Sequence, residues 1–367
     1  MEHIIFHIDV NSAFLSWTAL SLLQKGKTTD LRLIPSAIGG DSKTRHGVIL
    51  ATSSAAKAYG VQTGEPIHNA LKKCPSLTLA PPDHSMYRQY SRHLMEYLST
   101  ICPRIEQVSI DECYMDYSPI SHLYTSPIEA AHILKNTIYE KFGFTVNIGI
   151  SDRKVLAKMA SDFKKPNLVH TLFSYEIKEK MWPLSVHQLY MCGRSSVETL
   201  RNLEILTIGD LALSDPSIIS LHLKSHGLML WEFANGKDAS WVDSSPSPTK
   251  GIGNSTTLER NITSYEDACV VLHSLAESVG YRLKKAGFTA SMISCEIKYH
   301  NFQSYSHQTT LFSPTDSTII IYETACRLFQ QLWNQNPIRL LGIRTSKLTE
   351  ASAPKQLSLF DLSFENE

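Results

Sequence analysis

Two adjacent acids, Asp111 and Glu112, interrupt the otherwise apolar, β-prone run Val108-Ser109-Ile110-Asp111-Glu112-Cys113-Tyr114-Met115-Asp116-Tyr117. A strand interior does not hold two charges without compensation. Unpaired buried carboxylates take up protons, so ionised ones there call for cations, and oxygen ligands of this kind suit Mg²⁺ or Mn²⁺. The alternative is a hairpin turn whose two acids face water. A third acid bears on that choice. His3-Ile4-Ile5-Phe6-His7-Ile8-Asp9-Val10-Asn11-Ser12-Ala13-Phe14 begins as a short apolar run that suits a buried strand and ends at Asp9. If that strand pairs beside the one carrying Asp111, three carboxylates converge on one sheet edge. They can then hold two cations for in-line phosphoryl or nucleotidyl transfer.

Further blocks follow in order: Gly149-Ile150-Ser151, then Lys154-Val155-Leu156-Ala157-Lys158-Met159-Ala160-Ser161-Asp162, then Lys165-Pro166-Asn167. Together with Phe6-His7-Ile8-Asp9 and Ser109-Ile110-Asp111-Glu112-Cys113 they resemble the signature blocks of Y-family DNA polymerases, in the pattern of the bacterial DNA polymerase IV branch. The resemblance runs over nearly the whole chain. It implies an α+β multidomain fold with a ferredoxin-like palm at 1–13 and 79–170 and small fingers at 14–78. A helical helix-hairpin-helix thumb at 171–238, a linker at 239–249 and a separate α/β little finger at 250–348 would follow, then a tail at 349–367 with a clamp-binding motif. The implied activity is template-directed translesion synthesis, which adds deoxynucleotides from their triphosphates to a primer 3′ end on primer-template DNA. Asp9, Asp111 and Glu112 would be the catalytic acids and, with the backbone carbonyl of Val10, would hold two Mg²⁺ ions, with Mn²⁺ as a substitute.

The resemblance assigns nucleotide contacts one by one. Phe14, which spacing alone reads as a core aromatic opening a helix, falls on the family's steric gate against ribose. Ser54 and Lys57 stand where the family has a Tyr and an Arg gripping the triphosphate; a lysine pairs with phosphate as a point charge and lacks the guanidinium fork. A solvated helix face is the other reading of Lys57. Lys165, before Pro166, matches a triphosphate-binding lysine, and Asn11 replaces the usual Asp. Gly193 and Arg194 belong to the thumb hairpin, where backbone N–H groups hold a DNA phosphate without reading sequence. Met191 and Glu204 occupy two hairpin positions where glycine is usual, and a left-handed cap costs a non-glycine residue about 1 kcal/mol. Lys298, Arg339 and Arg344 are candidate DNA contacts of the little finger. Gln356, Leu357, Leu359 and Phe360 resemble a hook for the replication sliding clamp, the alternative being a tail folded onto its own domain.

Periodicity supplies the local expectations. Pro127 to Phe142 reads as a helix with Ile128, Ile133, Ile138 and Tyr139 apolar, and residues 144–150 as a strand. Residues 153–164 read as a helix with Val155, Leu156 and Met159 inward and Lys154 and Lys158 sharing a face. Ser291 to Tyr299 alternates Ile293, Cys295, Ile297 and Tyr299 against Ser294, Glu296 and Lys298, a half-buried strand.

Lysine plus arginine equals aspartate plus glutamate at 35 each, so any DNA-binding face must come from arrangement rather than net charge. Residues 250–349 carry ten basic against seven acidic side chains. Seven scattered cysteines form neither a disulfide framework nor a zinc pattern, which fits a reducing compartment. With no signal peptide and no apolar run of membrane-spanning length, the expectation is a cytoplasmic monomer without membrane contact. Two rivals remain: a nucleotide cyclase, which gives no reason for a thumb or clamp tail, and a non-catalytic polymerase-like adaptor on DNA and the clamp.

Overall fold

The computed structural model describes residues 3–40, 47–245 and 248–352. They form two compact units, one of residues 3–40 and 48–245 and one from residue 248 onward. Gln356, Leu357, Leu359 and Phe360 lie outside the described residues.

The first unit is built on β1 (Ile5–Val10), whose six residues are all buried. It leads through Ser12, in the left-handed region at φ 46°, into α1 (Ala13–Gln24). An excursion follows: β2 (Ser36–Gly39), β3 (Ile49–Thr52), α2 (Ser54–Ala58), α3 (Ile67–Lys73) and β4 (Thr78–Ala80), with its own three-stranded sheet in the order β3-β2-β4. The chain then returns as α4 (His84–Ile101), β5 (Ile105–Gln107), β6 (Glu112–Asp116), α5 (Pro127–Phe142), β7 (Val146–Ser151), α6 (Lys154–Asp162) and β8 (Val169–Thr171). These strands order as β5-β6-β1-β7-β8, with β1 antiparallel to both β6 and β7. Without the edge strand β8 this is the split βαβ plan of a ferredoxin-like sheet. Because β1 is central and covered on both faces, its sequence runs apolar almost without a break, and its two polar side chains, His7 and Asp9, need partners.

The α5 periodicity resolves differently from expectation. Ile128, Ile133 and Tyr139 are exposed and only Ile138 of that set is buried; the inward face is Ala130, Ala131, Leu134 and Ile138. Alanines let the helix lie close to the sheet, so the larger residues were the misleading signal. α6 follows its expected phase, with Val155, Leu156 and Met159 buried. It approaches β7 at Gly149, where a Cβ would collide with the Ala157 carbonyl and the Ser161 amide.

α7 (Ile177–Lys180), α8 (Arg194–Asn202), α9 (Ile208–Leu213) and α10 (Pro216–Ala234) share a separate apolar core with the buried face of α6. The Ser/Pro-rich stretch after them has no helix or strand among its described residues. Its first part is nonetheless tied down: Asp238 Oδ2 accepts from Val155 N at 2.9 Å, Trp241 O from Lys154 Nζ at 3.2 Å, and Glu106 Oε2 from Asp243 N at 2.8 Å.

The second unit comprises β9 (Gly251–Ile262), α11 (Tyr265–Ala286), β10 (Phe288–Tyr299), β11 (Ser304–Thr315), α12 (Thr318–Leu332) and β12 (Ile338–Glu350). Its sheet orders β11-β10-β12-β9. Ile293, Cys295, Ile297 and Tyr299 are buried as their alternation requires, sharing a core with residues of α11 and α12.

Candidate active site

Asp9 and Glu112 are paired across β1 and β6, and Asp9 faces Asn147 on the other side. In this register Ile8 and Cys113 meet one step inward, and a one-residue slip would separate Asp9 from Glu112 and carry their side chains to opposite faces of the sheet. Asp111 is anchored by its backbone, its carbonyl accepting from Val10 N at 3.1 Å. Its carboxylate accepts from Ser109 Oγ at 2.6 Å, and Asp111 N donates back to that hydroxyl at 3.2 Å. Asp9 and Asp111 line one cleft of about 410 Å³ together with Val10, Phe14, Ser54, Lys57 and Lys165. Seven residues expected from the sequence therefore surround a single cavity, with Glu112 paired to one of them. Thr52 also lines the cleft, its Oγ1 buried without a protein partner among the described residues.

Two lysines compensate the acids. Lys165 Nζ lies 3.0 Å from Asp9 Oδ2 and 2.8 Å from Asp162 Oδ1. Lys158 Nζ lies 3.3 Å from Asp9 Oδ2, 3.3 Å from Asp162 Oδ2, and donates to Glu112 Oε1. Burial favours the neutral form of each lysine, yet the surrounding carboxylates hold both pKa values above the ordinary range. Burial and the adjoining Asp9 push Glu112 up to about 7, against the pull of Lys158. Asp9 is held below the usual carboxylate range: burial opposes this, but a hydrogen bond shared with Glu112 and the charges of Lys165 and Lys158 outweigh it. His7, two residues before Asp9, contacts Ser161 Oγ at 2.8 Å and stays neutral, its pKa lowered to about 3 by burial and then by Lys158.

Asn11 explains its own departure from the family pattern. Its Nδ2 donates to Asn147 Oδ1 at 3.1 Å and its Oδ1 accepts from Asn167 N at 2.8 Å. Asn147, fully buried, donates to Ser161 O at 3.0 Å and Lys164 O at 2.6 Å. The two amides thus fix the loop that carries Lys165, and a carboxylate at position 11 could not supply the donor.

Phe14 lies flat against Tyr87, ring centroids 4.5 Å apart. Thr18 Oγ1 donates to Phe14 O at 2.7 Å and shares a hydrogen bond with Tyr87 OH at 2.9 Å, which clamps both the backbone and the backing ring of Phe14. Ser54 opens α2 and Lys57 is exposed in its last turn.

Gly193 caps α8 and Arg194 begins it, both exposed. Met191 and Glu204 adopt the left-handed conformation, at φ 67° and 61°. In the second unit, Lys298 and Arg344 stand on the sheet face opposite the helices, Arg344 paired with Ser294. Arg339 is apart from them, stacked 4.8 Å from the Phe302 ring.

Among the described residues no three His, Cys, Asp or Glu side chains form a ready metal cage. The donors still fit a divalent cation: hard carboxylate oxygens, two of them paired in register, so short of positive charge that two ammonium groups crowd in. Lys158, Asp162, Tyr87 and Thr18 were not singled out from the sequence as site residues. For Lys158 the helical period gave no such signal, because it set Lys158 with Lys154 on a face apart from Val155, Leu156 and Met159.

The impB/mucB/samB family profile matches residues 8–162, and the C-terminal domain of that family matches residues 249–359. The DNA polymerase IV of Clostridium acetobutylicum is 45% identical over 98% of this chain and 91% of its own length. That of Alkaliphilus oremlandii is 36% identical over 99% of this chain and 90% of its own. Among solved structures, the Y-family DNA polymerase chimera Dbh-Dpo4(243-245)-Dbh has a TM-score of 0.83, covering 95% of this chain and 99% of that one at 21% identity. No helix among the described residues is long and apolar enough to cross a membrane.

Proposed function

This chain belongs to the impB/mucB/samB family and is a translesion DNA polymerase of the DNA polymerase IV type, and we propose that it works through Asp9, Asp111 and Glu112 at the β1–β6 end. Its substrates are primer-template DNA and deoxynucleoside triphosphates, and it depends on divalent metal. The observation that carries the site assignment is the single cleft shared by Asp9, Asp111, Phe14, Ser54, Lys57 and Lys165.

The three carboxylates and the Val10 carbonyl would hold two Mg²⁺ ions, or Mn²⁺ in their place. Such ions supply a lowered pKa at the primer 3′-hydroxyl and neutralise charge on the departing pyrophosphate. Ser109 holds the Asp111 carboxylate in one orientation. Lys165 and Lys57 pair with phosphate oxygens and Ser54 offers a hydroxyl donor. Phe14, backed by Tyr87, leaves no room for a ribose 2′-hydroxyl.

Residues 1–13 and 79–170 act as palm, 14–78 as fingers, 171–238 as thumb and 250–348 as little finger. Gly193, Arg194, Lys298 and Arg344 contact the DNA backbone, with Arg339 at the sheet end. Residues 356–360 hook the sliding clamp of a cytoplasmic, monomeric enzyme. Primer extension tests the reading. Wild type should incorporate nucleotides only with Mg²⁺ or Mn²⁺, and Asp111→Asn should bind primer-template yet incorporate nothing. A wild type with no metal-dependent synthesis would make the chain a DNA-bound adaptor. Deleting residues 356–360 should abolish clamp capture and leave distributive synthesis intact.

A further inference from the structure

We infer that Lys158 is a resident counter-cation of the Asp9–Glu112 pair, which a divalent ion must displace, and that Asp162 is the carboxylate that receives it. The inference rests on the metal reading proposed above.

Lys158 and Lys165 both touch Asp9 and Asp162, but they are not equivalent. The Lys165 side chain is 35% exposed and leads into the cleft, so a phosphate can draw it away. The Lys158 side chain is 11% exposed, and its stem lies on the buried face of α6 close against β7. It is far more enclosed than Lys165. An ammonium group has three donors, and three carboxylates surround this one: Asp9, Glu112 and Asp162.

The oxygens it engages belong to two of the acids that would hold the ions. Asp9 Oδ2 is within 3.3 Å of Lys158 and 3.0 Å of Lys165, and Glu112 Oε1 accepts from Lys158. Entry of a divalent ion therefore breaks Lys158 contacts on two acids at once. Asp162 is placed to take up the released charge. It is the i+4 neighbour of Lys158 and offers each lysine a different oxygen, Oδ2 to Lys158 and Oδ1 to Lys165. Being 46% exposed, it does not itself need a metal for compensation.

Two ammonium groups thus compensate part of the charge of Asp9, Glu112 and Asp162, and cation binding there is an exchange rather than a simple addition. Metal affinity is low until a triphosphate pulls Lys165 from Asp9, and by linkage metal and nucleotide each tighten the other. Lys158 is a positioning residue: it keeps two like-charged carboxylates together before the ions arrive.

The test is Mn²⁺ binding to full-length protein free of DNA and nucleotide, followed by the electron paramagnetic resonance of free Mn²⁺. Lys158→Met should bind Mn²⁺ at least tenfold more tightly than wild type, and Lys158→Arg, which keeps the charge, should not. Asp162→Asn should bind at least threefold more weakly, because Lys158 then has no other acid to turn to. In the Lys158→Met background the Asp162→Asn penalty should fall below twofold, a coupling that a general loss of charge would not produce. Equal or weaker Mn²⁺ binding by folded Lys158→Met overturns the inference, provided Asp9→Asn has lost binding. If Lys158→Met does not fold, wild-type or tighter binding by Asp162→Asn overturns it. Mn²⁺ binding that survives Asp9→Asn overturns the metal reading and this inference together.

Discussion

Phe14 and Tyr87 lie ring on ring, with planes 9° from parallel, and the Tyr87 hydroxyl is joined through Thr18 to the Phe14 backbone. The proposed gate role of Phe14 requires a ring that does not yield, and the flat Tyr87 backing supplies that. Phe14→Ala should raise ribonucleotide insertion relative to deoxynucleotide by about 10- to 100-fold. Tyr87→Leu keeps the core apolar but removes a stacking partner worth about 0.5–1.5 kcal/mol, so it should relax discrimination about 2- to 10-fold. Steady-state kcat/KM for paired nucleotides measures both. If sugar discrimination is unchanged in Phe14→Ala, the gate lies elsewhere.

Burial and the hydrogen bond shared with Asp9 push the Glu112 carboxyl up from its ordinary 4.5 to about 7. The folded chain therefore holds more protons than the unfolded chain between those values, and Glu112 makes metal-free stability fall as pH rises through that window. A divalent ion needs Glu112 deprotonated, so apparent Mg²⁺ affinity should weaken about tenfold per pH unit below 7 and level off above it. Mg²⁺ titrations of thermal melting at pH 5.5, 6.5 and 7.5 read this directly. An affinity flat across that range would exclude Glu112 as a ligand.

Met191 and Glu204 are left-handed at φ 67° and 61°, and both side chains are exposed, so neither recovers the backbone strain through packing. Glycine at either position should stabilise the protein by about 0.5–1 kcal/mol net, the relief of strain exceeding the added freedom of the unfolded chain. Chemical denaturation of Met191→Gly, Glu204→Gly and the pair checks it, with near-additive gains expected. A loss of stability would mean that these side chains hold the hairpin by contacts of their own.

The same two residues mark how far the sequence could be read. The left-handed cap at Glu204 was foreseeable only through the resemblance, which sets a helix-ending glycine there. The buried alternation of Ile293, Cys295, Ile297 and Tyr299 was legible from the residues themselves, because a strand's two-residue period is local. The register Asp9↔Glu112 could be expected only as a condition, since pairing depends on residues 103 positions apart. Lys158 was visible as a residue but not as a partner. Its role arises from the close contact of α6 with β7 at Gly149, which no helical periodicity reports. On α5 the pattern pointed to isoleucines, while the sheet had selected alanines for their small size.

Asn11 stands where the family resemblance led one to expect an acid, and its amide is used at both ends. Asn11→Asp would keep the acceptor for Asn167 N but set a carboxylate oxygen against Asn147 Oδ1, which already accepts from Leu168 N at 3.2 Å. Two acceptors would then face each other in a buried site, at a penalty of about 1–3 kcal/mol. The strain would fall on the loop holding Lys165, since Asn147 also fixes Lys164 O at 2.6 Å. The expected result is a several-fold rise in KM for the incoming nucleotide, with kcat less affected, because the lysine would be displaced from phosphate while the acids stay in register. Kinetics in which Asn11→Asp alone matches wild type would show that the loop is held without this amide pair.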